Sequence, residues 1–293
     1  MTTYISFPRN LEELAFFLEV LNSDDSYHIG YCGQYKKEIY DTLTTHFSDI
    51  DITKSFVVAY SENNIIGALG FDIDEENKSA EVWGPFIKNK DDYPQLANDL
   101  WQVLVDTIPF KLNEYLFFLN EKNTLVRQFI EIKNGEENGN RLILRIDRNS
   151  ITEGQNLHIQ TYENSFHTSF SALHELAFPN TYYNSNQILS RISEDNQLFI
   201  IQDNNDVKGY VYVEAVPLHG EGVIEYIAVS PEYRGQGIAT KLMKAALHHL
   251  FSYEEIEEIT LSVGANNKTA IALYKVSGFQ IKHAMIAYKI QKN

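Results

Sequence analysis

At 293 residues, with 44% hydrophobic and 22% charged side chains, the chain has room for one large packed domain or two of ordinary size. A net charge of −16 disfavours nucleic acid and anionic membrane surfaces, and no run approaches the roughly 18 uncharged apolar residues of a membrane helix. The single cysteine, Cys32, excludes an internal disulfide framework and fits a reducing cytoplasm.

In chain order, MTTYISFPRNLEELAFF carries charges within its first helical pattern and has no small-residue cleavage site, so a cytoplasmic chain without signal peptide is expected. FVVAYSENNIIGALGF reads as a hairpin, and DIDEEN (72–77) as a further hairpin turn. LANDLWQVLVDTI (96–108) is helical, and EYLFFLNEKNTLVRQFI (114–130) runs from strand to helix. The polar run IDRNSITEGQNL (146–157) marks a boundary. Beyond it, LHIQTY (157–162) reads as extended, FHTSFSALHELAF (166–178) as helical, and Ser185–Ile192 as a second helix. QLFIIQD and VKGYVYVEAV flank a turn at Asn204–Asn205, and VIEYIAV (223–229) follows the loop PLHGEG. GIATKLMKAALHHLFSY places Ile238, Leu242, Ala245, Ala246 and Leu250 on one helical face. EITLSV is a strand, KTAIALYKVS a helix stopped by Gly278, and FQIKHAMIAYKI a final strand pair. Hairpins followed by a βαβ crossover indicate an α/β (α+β) protein with a mixed sheet.

The two halves repeat. Aligning Gly67 with Gly209, an offset of 142, sets FVVAYSENNIIG against LFIIQDNNDVKG. The helix LANDLWQVLVDTI then lands on IATKLMKAALHHL, and the next strand and helix correspond after a shift of about two residues. Two tandem domains are expected, 1–148 and 149–293. The acidity is uneven: residues 1–150 hold 14 Lys/Arg and 25 Asp/Glu, net −11, and residues 151–293 hold 10 and 15, net −5.

YRGQGIATKLM places two glycines and two cations where a helix begins. Glycine lets backbone approach a ligand, and the first amides of a helix lack intrahelical acceptors. Gln236, Gly237, Ile238 and Ala239 therefore offer a nest for a diphosphate, aided by the helix dipole and Arg234. A turn with no ligand is the competing reading of the same glycines. GQGIAT lacks the third glycine of a dinucleotide fold, and no G-K-[ST] follows for a P-loop. Opposite RGQGIA the first half has DYPQLA, with Asp92 against Arg234 and no glycine. The copies share a fold and not a cradle.

Four features in order narrow the reading: VIEYIAV, then SPEYRGQGIATK, then VGANNKTAIALY, then YKVSGF. Together they resemble the Gcn5-related N-acetyltransferase (GNAT) family. Arg234-Gly235-Gln236-Gly237-Ile238-Ala239 meets its [RQ]-x-x-G-x-[GA] signature after Ile227-Ala228-Val229. Asn267, Ala270, Leu273, Tyr274, Gly278 and Phe279 meet its second block. The first half resembles the fold without the signature, as in tandem members with one degenerate copy.

The resemblance implies acetyl-CoA as co-substrate and no metal. Acetyl-CoA would lie where 223–229 splays from 258–263. The backbone of Ile227, Ala228 and Val229 would hold the pantetheine and polarise the thioester, and the amides of Gly235 to Thr240 the diphosphate. Asn267 would bind near the thiol, and it fits equally as a helix cap. Tyr274 would protonate the leaving thiolate; packing between helix and sheet is its other role. The acceptor implied is a primary amine, a cationic one by the charge balance. An ammonium of pKa about 10.4 costs about 4 kcal/mol to deprotonate near neutrality, so a base is valuable. Glu225 shares strand parity with Ile227 and Val229 and is the candidate base; a sheet carboxylate without a role is its alternative. Relatives that carry the base five residues before the asparagine have their counterpart here in Ser262, which cannot serve. His219 reads as a loop histidine, His248 and His249 as surface and core, and His174 as a residue of the helix over the acceptor site. The rival to an enzyme is a non-catalytic acyl-CoA sensor or an interaction protein.

Overall fold

The computed structural model describes residues 3–150, 159–179 and 181–291. The chain packs as two compact units, residues 1–141 with 284–293, and residues 142–283. Among the described residues no helix is long and apolar enough to cross a membrane.

The first half comprises β1 (Thr3–Ser6), α1 (Leu11–Asn22), α2 (Lys36–Thr45), α3 (Ile52–Ser55), β2 (Phe56–Ser61), β3 (Asn64–Asp74), β4 (Ser79–Ile87), α4 (Tyr93–Thr107), β5 (Glu114–Asn120), α5 (Thr124–Ile132) and β6 (Glu136–Asp147). The second comprises β7 (Gln160–Thr161), α6 (His167–Ala177), α7 (Ser185–Arg191), β8 (Asn196–Asp203), β9 (Asp206–Val216), β10 (Glu221–Val229), α8 (Ile238–Leu250), β11 (Glu258–Gly264), α9 (Lys268–Val276) and β12 (Gln280–Gln291). Residues 157 and 158 of the expected strand at 157–162 lie outside the described residues.

In the first unit the strand order is β1-β2-β3-β4-β5-β12, and in the second β6-β11-β10-β9-β8-β7. In the first unit β1, β2, β3 and β4 pair antiparallel in turn, and β4 then meets β5 in parallel, as the alternation of elements predicts. The second unit repeats this, with β10 parallel to β11. FQIKHAMIAYKI, expected as a strand pair, is one continuous strand. No Gly, Pro, Asn or Asp interrupts Gln280–Gln291, so nothing in the run turns the chain.

Register shows the repeat at single-residue resolution. Ala59 faces Gly67, after which Tyr60 faces Ile65, leaving Ile66 as an extra residue. Ile201 faces Gly209, after which Gln202 faces Val207, leaving Lys208 extra. Both bulges are 142 residues apart, and Gly67↔Ile87 recurs as Gly209↔Val229. Beyond the sheet's centre the offset is 144: α5 maps onto α9 and β6 onto β12 residue for residue. Asn123 and Asn267 cap the two matching helices by accepting from the amides of Val126 and Ala270.

The cores follow the periodicities. Ile238, Leu242, Ala245, Ala246 and Leu250 of α8 are all buried against Val211, Val213, Ile259 and Leu261. On the other face of the same sheet, α6 and α7 bury Phe170, Leu173 and Ile188 on Leu198, Ile200, Tyr210 and Tyr226. In the first unit Trp101 packs its ring on Phe71, Tyr115 and Phe129. One polar feature interrupts that unit. Asp72 and Glu81 stand directly opposite each other on β3 and β4. Desolvation first, then Asp49 and Asp74, pushes Asp72 up to about 7, and desolvation first, then Asp72, pushes Glu81 up to about 7.

Candidate active site

The site is created by a separation of strands. β10 pairs with β11 only from Glu221↔Glu258 to Val223↔Thr260; beyond Val223 the two strands part. Into this V open the end of β10, the start of α8 and the start of α9. A cavity of about 670 Å³ results. Ile227, Ala228, Val229, Arg234, Gly235, Gly237, Ile238, Ala239, Thr240, Asn267 and Tyr274 all line it. Of the residues expected at the site, Gln236 and Glu225 do not. Gln236 is exposed and reaches back to the carbonyl of Glu232.

The glycines do what the sequence requires of them. Gly235 and Gly237 hold φ of 76° and 74°, which glycine adopts without strain. A Cβ at either would meet no protein atom within 4 Å, so the backbone faces open space. Gly237 is the N-cap of α8 and supplies no side-chain cap. The first amides of α8 are thus left for an anionic ligand. Arg234 donates from Nε to the Val229 carbonyl at 3.2 Å, tying the loop to the strand end.

Glu225 is placed by a bulge. Ile224 faces Val213 and Tyr226 faces Tyr212, so Glu225 is an extra residue in β10. The irregularity lies between Ile224, in the core under α8, and Tyr226, in the core under α6; from Tyr226 to Val229 the strand alternates, with Ile227 and Val229 against the α8 core. The charge of Glu225 acts on Tyr183, whose hydroxyl is pushed up to about 12 by burial first, then by Glu214, with Glu225 a smaller contribution.

Tyr274 is buried in the cavity wall, with its ring edge-on to Phe279 at 6.1 Å. Asn267 is exposed at the mouth, and its Oδ1 caps α9 through the Ala270 amide at 3.1 Å. His174 is 1% exposed and does not reach the cavity; it packs in the core under α6. His248 is exposed, while His249 is half-buried on Phe199 and Tyr253.

Sequence reasoning missed the far wall. Leu176, Ala177 and Phe178, at the end of α6, line the cavity opposite the glycines. Arg191 forms a two-pronged ion pair with Glu214 at 2.9 and 3.0 Å and lies 4.5 Å over the Tyr183 ring. No motif marks these residues; each is defined only by which strand its segment crosses.

The first unit has the same V and fills it from within. β4 pairs with β5 only from Ser79↔Glu114 to Glu81↔Leu116. At the repeat offset, Tyr93 stands where Gly235 stands. It is 3% exposed, and its hydroxyl donates to the carbonyl of Pro85, the counterpart of Ile227, at 3.3 Å.

In the second unit a parallel strand pair thus splays beside a glycine-opened helix that has no side-chain cap. Residues 159–279, within the second unit, match the acetyltransferase (GNAT) family. A mycothiol acetyltransferase from Kocuria rhizophila is 33% identical over 92 residues, 30% of this chain and 30% of that protein's length. The match therefore spans less than a third of that relative. Two solved structures share the fold along both units. A GCN5-related N-acetyltransferase from Sphaerobacter thermophilus superposes with a TM-score of 0.71 at 15% identity, over 99% of this chain and 96% of that one. A tandem GNAT protein from the clavulanic acid biosynthesis pathway gives 0.66 at 12%, over 99% and 98%.

Proposed function

We propose that the chain is an acetyl-CoA-dependent N-acetyltransferase whose second copy, 149–293, acts directly on a primary amine, and whose first copy, 1–148, is degenerate. The observation that carries this reading is the convergence of an open glycine cradle, the splayed end of β10 and Tyr274 on one cavity. The amides at the start of α8 would hold the diphosphate, with Arg234 adding charge. The free edge of β10 beyond Val223 offers main-chain groups of Ile227 to Val229 to the pantetheine and the thioester oxygen.

In the transfer, the amine nitrogen bonds to the acetyl carbon and the carbon–sulfur bond breaks. Glu225, the extra residue of the bulge in β10, accepts the ammonium proton, directly or through water. Tyr274 returns a proton to the CoA sulfur. An amine acceptor accords with the names of the similar proteins, and the acidity of the chain favours a cationic one. The buried Tyr93 in the first unit's V supports degeneracy: a side chain of the protein itself takes the place that a cofactor would need.

Calorimetric titration of the whole chain with acetyl-CoA tests the reading. One site per chain, abolished by Gly237→Glu, is expected, followed by acetyl transfer in a screen of spermidine, lysine peptides and aminoglycosides. Two sites would overturn the degenerate first copy. Binding with no transfer to any amine would favour a sensor, and no binding would end the enzyme reading.

A further inference from the structure

Tyr183 is held by its main chain from both sides. Its amide donates to the Tyr226 hydroxyl at 3.0 Å, and its carbonyl accepts from His174 Nε2 at 2.8 Å. Thr181 Oγ1 donates to the same Tyr226 hydroxyl at 2.9 Å. A carbonyl only accepts, so Nε2 of His174 carries its proton and Nδ1 accepts from the Tyr210 hydroxyl at 2.6 Å. Both imidazole nitrogens are thereby committed, and burial holds the ring neutral by lowering its pKa.

The holders are rigid. His174, Tyr210 and Tyr226 are each less than 10% exposed, and the rings of His174, Phe178 and Tyr226 pack mutually at 5.0 to 5.6 Å. The held residues lie nearer the surface: Thr181 and Tyr183 are partly buried, and Tyr182 is 78% exposed. Tyr226 lies in β10 between Glu225 and Ile227, and His174 lies in α6 just before the cavity wall of Leu176 to Phe178. Phe178, Thr181 and Tyr183 are thus all fastened to one tyrosine of the strand that carries the reacting centre.

We propose that His174 and Tyr226, braced by the main chain of Tyr183, are positioning residues that hold the end of α6, Leu176 to Phe178, closed as a wall of the cavity and keep water from the thioester. This rests on the acetyltransferase reading. Loosening the wall admits water as a competing acceptor: its oxygen bonds to the acetyl carbon and the carbon–sulfur bond breaks. One water proton goes to the CoA sulfur and the other to solvent, giving acetate and free CoA. The readout therefore needs no knowledge of the natural amine.

The test uses the full chain and two variants, Tyr226→Phe, which removes only the shared hydroxyl, and Thr181→Val, which removes one donor from a partly exposed side chain. Acetate release from acetyl-CoA is followed without added amine, beside calorimetric acetyl-CoA affinity. Tyr226→Phe is expected to raise acetate release about tenfold, as losing one or two hydrogen bonds implies, and Thr181→Val by a smaller factor, with affinity within about twofold of the parent. A role confined to stability would lower the melting temperature and leave acetate release unchanged; that result in both variants overturns the proposal. If the parent binds no acetyl-CoA, the enzyme reading falls and this inference with it. If the parent binds it and the variants hydrolyse at the parental rate, only this inference falls.

Discussion

Glu81→Gln tests the buried acidic pair of the first unit. Asp72 and Glu81 face each other across β3 and β4, and both carboxyls are pushed up to about 7, by desolvation first, then by Asp49 and Asp74 at Asp72 and by Asp72 at Glu81. A carboxyl whose folded pKa is raised stabilises the fold while protonated. That contribution is complete below its ordinary pKa of about 4 and is lost as pH climbs toward 7. For Glu81 the rise from 4.5 to about 7 corresponds to about 3 kcal/mol as a ceiling. Screening by solvent and sharing of the repulsion with Asp72 reduce this to roughly 1–2 kcal/mol. Glutamine keeps the shape and removes the charge. Both tryptophans, Trp83 and Trp101, lie in the first unit, so their fluorescence during urea unfolding reports that unit. The parent should lose stability between pH 5 and pH 8. Glu81→Gln should gain roughly 1–2 kcal/mol over it at pH 8 and nothing near pH 4. An equal gain at both pH values, or none at pH 8, would refute the assignment of strain to this pair.

Tyr274→Phe should lower kcat on the order of a hundredfold with acetyl-CoA affinity unchanged, measured as CoA release against calorimetric Kd; equal losses in both would mean a packing role. Arg191→Ala strands Glu214, whose side chain is 14% exposed, and should cost about 2 kcal/mol in urea unfolding of the second unit. Gly70→Ala should cost about 1–3 kcal/mol, because a Cβ there would lie 2.3 Å from the Phe56 ring and 2.8 Å from that of Phe47.

Local chemistry was legible in the sequence wherever it depends on neighbours along the chain. The glycines before α8, the asparagine caps and the hydrophobic face of α8 follow from spacing alone, and the repeat offset of 142 carries through to bulges in matching ladders. What depends on a partner strand was not. Nothing in VIEYIAV announces that Glu225 is an extra residue, because a bulge is a mismatch between two strands. The bonds of His174 to Tyr210 and of Thr181 and Tyr183 to Tyr226 span 36 to 45 residues of sequence, so no local window contains both partners. The replacement of Gly235 by Tyr93 is visible in an alignment of the halves, but its meaning requires the hydroxyl to be seen on the Pro85 carbonyl.

The unit boundaries have a consequence for how the chain is made. Leu142 to Asp147, the second half of β6, belong to the second unit, and Ala284 to Gln291, the last two thirds of β12, belong to the first. Strand β5 runs along β12 for its whole length, from Glu114↔Gln291 to Asn120↔Met285. During synthesis, then, the first unit emerges early and waits with β5 short of one neighbour until residue 291 has left the ribosome. The N-terminal half cannot finish before the C-terminal half exists, which reverses the usual order in which domains mature along a growing chain.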